Sequence, residues 1–306
     1  MLSQIILLDN CVYLIKIKSG DVMYKQKLAL ALNSQFGIPY EEQILLFKSA
    51  GFEGFAIDDS DRKANVATLA AMGKSEGLFI EYLHAPFNKS DDMWAEGSLG
   101  EDALDELIKY VELCARLEIP TLVAHTFIGF DEPYIPTNTG IERYGALAKR
   151  ATELGVALAL ENTEGFEYLD ALMNALKSEK SVGFCWDSGH ELCYNYGRNL
   201  LELYGDRLIC THLNDNLGIR DYSGKITYID DLHLLPYDGI HDWNELAKRL
   251  AKCGFNGNLT FELNTASKPG RHENDKYGKM PVEQYISEAY CRACRFAAVF
   301  NKEVTK

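Results

Sequence analysis

Eight short apolar runs, spaced along the chain and each closed by polar residues, constrain the fold more than any other feature of this sequence. They are Leu28–Leu32, Gly54–Asp58, Leu78–Ala85, Thr121–Thr126, Val156–Asn162, Val182–Ser188, Leu208–Asn214 and Leu259–Leu263. Near-continuous apolar runs of this length are what strands buried on both faces require. Helical patterns separate most of them, at Glu41–Ala50, Asp102–Leu117, Tyr144–Leu154, Tyr168–Leu176, Asp242–Cys253 and Val282–Phe300. Strand alternating with helix implies a parallel sheet. Eight strands favour a closed barrel over an open doubly wound sheet, and no Gly-x-Gly-x-x-Gly turn follows an early strand. The expected fold is therefore α/β, a single (β/α)8 TIM barrel over residues 27–306, with a short N-terminal extension over 1–26 read as a hairpin or appended segment. The chain's 306 residues are somewhat long for one such barrel.

In a barrel of this kind the chemistry gathers at the C-terminal ends of the strands. Those ends read His84, His125, Glu161, Asp187 with His190 just beyond, His212, and Glu262. Asp231 and His233 lie in the long connection after the seventh strand, from Asp215 to Asn258, which also holds Asp221, Gly224 and Gly239. Loops of that length in a compact domain are usually functional. Five of the seven histidines fall in this set. Taken singly, His125 reads as a hydrogen-bonded core residue and Asp187 as a helix cap. Together, imidazole and carboxylate form the ligand set that zinc, manganese and cobalt share. His241 and His272 fall outside the strand ends and read as ordinary. Lys268 and Arg271, after the eighth strand, could meet an anionic substrate group, although both read more simply as solvated loop charges. Trp186 and Phe87 could wall a sugar ring, although core packing is the plainer reading of both.

Charge narrows the partners. A net charge of −14 with no basic run disfavours nucleic acid and anionic membranes. No apolar run approaches a membrane span, and Asp9 interrupts Ile5-Ile6-Leu7-Leu8, so neither a spanning helix nor a signal peptide is expected. Most of the eight cysteines sit in apolar stretches, as in a reducing, cytoplasmic setting, and Cys291-x-x-Cys294 lacks a second pair.

The segments Leu160-Glu161-Asn162, Asp187-Ser188-Gly189-His190, His212-Leu213-Asn214-Asp215, Asp231-Leu232-His233 and Glu262 resemble the xylose isomerase-like TIM barrel superfamily, in order from about residue 27 to the end. That superfamily holds sugar isomerases and epimerases, inosose dehydratases, hydroxypyruvate isomerases and AP endonucleases of the family 2 type. The resemblance to the ketose epimerase branch implies one metal at Glu161, Asp187, His212 and Glu262. It implies an enediolate held on that metal, with Glu161 and Glu262 as acid and base on its two faces. The resemblance to the endonuclease branch adds His84, His125, His190, Asp231 and His233 as ligands of a multinuclear zinc centre. The expected function is isomerisation or epimerisation of a small sugar, sugar phosphate or polyol. Multi-zinc phosphoester hydrolysis and inosose-type dehydration are the alternatives. Barrels of this kind often pair through their helices, so a homo-oligomer is a further expectation.

Overall fold

A computed structural model describes residues 5–8, 11–14, 25–220 and 225–306. Eight parallel strands form the barrel: β1 (Leu28–Ala31), β2 (Gly54–Asp58), β3 (Phe79–His84), β4 (Thr121–His125), β5 (Ala157–Glu161), β6 (Val182–Asp187), β7 (Leu208–His212) and β8 (Leu259–Phe261). β1 to β7 pair in sequence order, and β8 pairs with β1. The seam between β7 and β8 is closed by a parallel bridge between Leu213 and Phe261, with Leu213 N–H donating to Thr260 and Glu262 N–H to Leu213. Ahead of the barrel, Ile5–Leu8 and Cys11–Leu14 pair as an antiparallel hairpin. The remainder of 1–24, like Asp221 and Gly224, lies outside the described residues.

Nine helices occur among the described residues: α1 (Tyr40–Ala50), α2 (Val66–Glu76), α3 (Ser98–Leu117), α4 (Asn138–Leu154), α5 (Phe166–Ala175), α6 (Ser188–Cys193), α7 (Leu200–Tyr204), α8 (Trp243–Lys252) and α9 (Val282–Val304). None of them is long and apolar enough to cross a membrane. Their apolar faces and the outward residues of the strands make the larger core. Helices α1, α2 and α4 stop where the left-handed glycines Gly51, Gly77 and Gly155 let the backbone turn.

The barrel interior is a separate and smaller cluster: Ala31, Ala56, Tyr82, Val123, Ala159, Cys185 and Cys210. Side chains alternate along a strand, so the residue two further on points to the same interior, one layer nearer the C-terminal ends. Adding two to each of these positions gives Asn33, Asp58, His84, His125, Glu161, Asp187 and His212. One row of small apolar residues thus carries one row of polar ones above it, and the strand period sets the site.

Three linked donor clusters at the strand ends

Glu161, at the end of β5, is the centre of the site. Its Oε1 lies 3.0 Å from His212 Nδ1 and 3.3 Å from His190 Nδ1. Its Oε2 lies 3.1 Å from His84 Nε2 and 3.3 Å from His125 Nε2. His212 Nδ1 also sits 2.8 Å from Glu262 Oε2 and 3.9 Å from Asp187 Oδ2. The donor atoms fall into three compact groups: His84, His125 and Glu161; Glu161, Asp187, His212 and Glu262; and Asp187, His190 and His233. Asp231 joins the third through His233 Nε2, at 2.9 Å, and His190 Nε2, at 3.6 Å. All nine residues expected from the sequence are therefore brought to one place.

The surroundings orient these groups. Asp187 caps α6 by accepting from His190 N–H at 2.7 Å, and its other oxygen faces the cluster. Capping and site membership are thus compatible in one carboxylate. Asn162 ties β5 to β6, accepting from Asp187 N–H and donating to Asp187 C=O. His84 Nδ1 contacts Ala85 C=O at 2.8 Å, and His190 Nδ1 contacts Asn162 C=O at 3.0 Å. Phe87 stacks on His125, with ring centroids 4.2 Å apart.

Burial and mutual charge act in opposite directions here. Burial alone would raise the Glu161 carboxyl, but His212, His125 and His190 outweigh it and hold it well below the usual range. Glu262 is likewise lowered to about 2, because His212 and His233 overcome its desolvation. His233, despite burial, is raised to about 9 by Asp231.

Several buried polar atoms in this region have no hydrogen-bond partner among the described residues: His125 Nδ1, His212 Nε2 and Asp231 Oδ1. Four carboxylates and five imidazoles, packed within a few ångströms, suit a divalent cation well. Burying that many acidic groups together without a cation would be costly. The residues present therefore fit a zinc, manganese or cobalt ion.

The clusters open onto a cavity of about 250 Å³. Of the nine, all but Asp187 and His212 line it. Asn33, Asp58, Ser60, Phe87, Asn264 and Lys268 are among the other lining residues. Lys268 reaches to 3.6 Å from Asp231 Oδ2, so it faces the site. Arg271 does not line the cavity; it is paired with Glu273 at 2.7 Å. Trp186 is fully buried and donates to Glu191, which makes it a core residue. His241 contacts Ser188 C=O, and His272 is exposed beside Asp275. Asp58 and Asn33 went unnoticed in the sequence, although Asp58 ends its apolar run as His84 ends the next.

A family described as xylose isomerase-like TIM barrel matches residues 44–282. An uncharacterized protein, y4fM, of Sinorhizobium fredii is 32% identical over 170 residues, covering 51% of each chain. A probable endonuclease 4 of Cenarchaeum symbiosum is 35% identical over 106 residues, covering 31% of this chain and 36% of the relative. The chain thus spans about half the length of the first relative and about a third of the second. Among solved structures, the IolI protein with a bound zinc atom superposes with a TM-score of 0.70 at 19% identity, over 92% of this chain and all of the other. The D-psicose 3-epimerase of Clostridium cellulolyticum with D-tagatose superposes with a TM-score of 0.65 at 14% identity, over 90% and 99%.

Proposed function

The chain belongs to the xylose isomerase-like TIM barrel family, and from that premise we propose that it is a metal-dependent isomerase or epimerase of a small sugar, sugar phosphate or polyol. The observation that carries this reading is the cavity. At about 250 Å³ it has room for a monosaccharide, and residues of the donor clusters form part of its lining. Asn33, Asp58, Ser60 and Asn264 also line it, with side chains able to hydrogen-bond hydroxyls.

Glu161, Asp187, His212 and Glu262 would hold the ion, which when bound would supply Lewis acidity toward a carbonyl. The chain's own part is proton transfer. Glu262 has one oxygen on His212 and presents the rest of its side chain, 21% exposed, to the cavity. It is placed to take the proton from the carbon beside the carbonyl and return it. Glu161 is placed differently, since both of its oxygens already face imidazoles. A single free base moving a proton on one face suits isomerisation; inversion of a centre needs a second carrier on the other face. In this reading Glu161 holds and Glu262 transfers.

The test is deuterium uptake. The metal-loaded protein is incubated with ketoses, D-fructose and D-tagatose first, in heavy water. Exchange at the carbon next to the carbonyl, lost in Glu262→Gln, is the expected result. No exchange with any ketose in a panel would overturn the reading.

One observation favours a second reading. The shared Glu161 and the group around His190, Asp231 and His233 suit two or three metals, as in a multi-zinc phosphoesterase. Part of the chain is also similar to a probable endonuclease 4. The charge of −14 then argues for a small phosphate ester as substrate rather than a nucleic acid. Phosphate release from such esters in place of deuterium exchange would select it. Inosose-type dehydration would instead show as exchange accompanied by loss of water.

A further inference from the structure

Asp58 occupies the same inward layer as the ligands, two residues beyond the interior Ala56, and its Cα pairs with that of His84 across β2 and β3. It belongs to none of the three donor groups. It lines the cavity together with Ser60 and Glu262. Its Oδ1 accepts from Ser60 N–H at 2.8 Å, closing the turn after β2. The Ser60 hydroxyl and the His84 ring are other polar groups that act on this carboxylate.

The turn alone does not account for an acid here. Asparagine closes the same turn without the penalty of burying a carboxylate, a penalty that the His84 ring offsets in part and Glu262 increases. The pocket wall that Asp58 shares with Ser60, Asn33 and Asn264 is rich in hydrogen-bonding groups. A carboxylate in the wall of such a pocket can accept more hydrogen bonds than the turn uses, and the donors that a sugar or polyol offers are hydroxyls.

We infer that Asp58 is a substrate-binding residue whose carboxylate accepts a hydroxyl of a polyhydroxylated substrate and so selects for that class. The assignment rests on the isomerase reading above and goes further by naming the residue that recognises the substrate's hydroxyls. A site built around such a bond discriminates strongly against molecules that lack the hydroxyl, because the buried acceptor is then left unpaired.

The test uses sorbitol, which has no carbonyl to react. It is titrated calorimetrically into the full-length, manganese-loaded protein and into Asp58→Asn, which preserves the turn. The expected result is at least a tenfold weaker affinity in Asp58→Asn, with metal content and the urea midpoint unchanged. Affinity within twofold of wild type would overturn the assignment. So would a wild-type protein that fails to bind sorbitol. Deuterium exchange of D-fructose, run in parallel on the wild type, separates the two failures. Exchange without an Asp58 effect removes Asp58 alone, whereas neither exchange nor binding removes the isomerase reading with it.

Discussion

Asn214 donates through one amide nitrogen to both oxygens of Asp187, at 3.2 and 3.0 Å, just beneath the donor clusters. Both residues are fully buried. Gly189 makes this possible, because a Cβ there would stand 2.0 Å from the Asn214 oxygen. Two consequences follow for Asn214→Asp. It replaces the donor by a second buried carboxylate against Asp187, and the amide's hydrogen bonds are lost. We expect a loss of stability of about 3 kcal/mol, in the range for a buried charge losing its partner. Urea denaturation of the metal-free protein measures it. Gly189→Ala should show a smaller loss in the same direction.

Asp215 organises the loop that delivers Asp231 and His233. Its Oδ1 accepts from the N–H groups of Asn216 and His241, at 2.9 and 3.1 Å. Its Oδ2 accepts from Tyr237 N–H at 2.9 Å and from Trp243 Nε1 at 2.8 Å. Asp215→Asn turns one acceptor into a donor and strands two buried N–H groups, at about 1–3 kcal/mol each. Denaturant titration should therefore show a loss of about 2–6 kcal/mol. Metal content of the surviving folded protein should fall most at the third cluster, since its two loop ligands hang from this carboxylate.

The barrel and its ring of polar strand ends were readable because each follows from a local period. Apolar runs mark strands buried on both sides, and a period of two carries their last inward residues into one layer. Helix α2 was not readable in that way. Its Gly73 and Ser75 break the expected apolar stripe, yet Gly73 is where the helix lies closest to the barrel; a Cβ there would come within 2.7 Å of the Phe55 ring. Close packing thus required a residue that weakens the helical signal. The pairing of Glu161 with four histidines was also out of reach of the sequence. Which oxygen faces which ring depends on barrel stagger, and no spacing along the chain encodes that. Arg271 fits neither of its two readings, substrate contact or solvated loop charge, because its neighbour Glu273 holds it in a largely buried pair that spacing does not encode.

Acid should weaken a clamp far from the site. Asp238, in the loop after β7, meets Arg292 of α9 at 2.6 Å and Lys276 at 3.2 Å, and it accepts from the Tyr277 hydroxyl. Arg292 also pairs with Glu288 at 2.7 Å. Burial raises the Asp238 carboxyl, but Tyr277 and Arg292 outweigh it, so its folded value lies below the ordinary one. A depressed carboxylate contributes stability above the unfolded value near pH 4, and that contribution is lost as pH falls through the folded value. Wild type should therefore exceed Asp238→Asn in urea midpoint at pH 6, and the gap should shrink steadily below pH 4. A gap that stays constant from pH 6 to pH 3 would contradict this account.

Metal stoichiometry tests the central feature of the site. Glu161 touches two donor groups at once, through different oxygens, whereas His84 belongs to one. If both groups bind, Glu161→Gln removes an anionic bridge from each, and His84→Ala removes one ligand from one. Elemental analysis of proteins loaded with zinc should then show Glu161→Gln losing about two ions per chain and His84→Ala losing no more than about one, because carboxylate and imidazole ligands act within their own coordination sphere. Both variants should keep the barrel, whose strands are held by backbone pairing and by the apolar layers on either side. If wild type holds one ion and His84→Ala holds the same, the His84–His125 group does not bind metal. Glu161 Oε2 is then held by imidazoles alone, and the single-metal isomerase reading gains at the expense of the phosphoesterase. If wild type holds two or three, phosphate esters become the first substrates to assay.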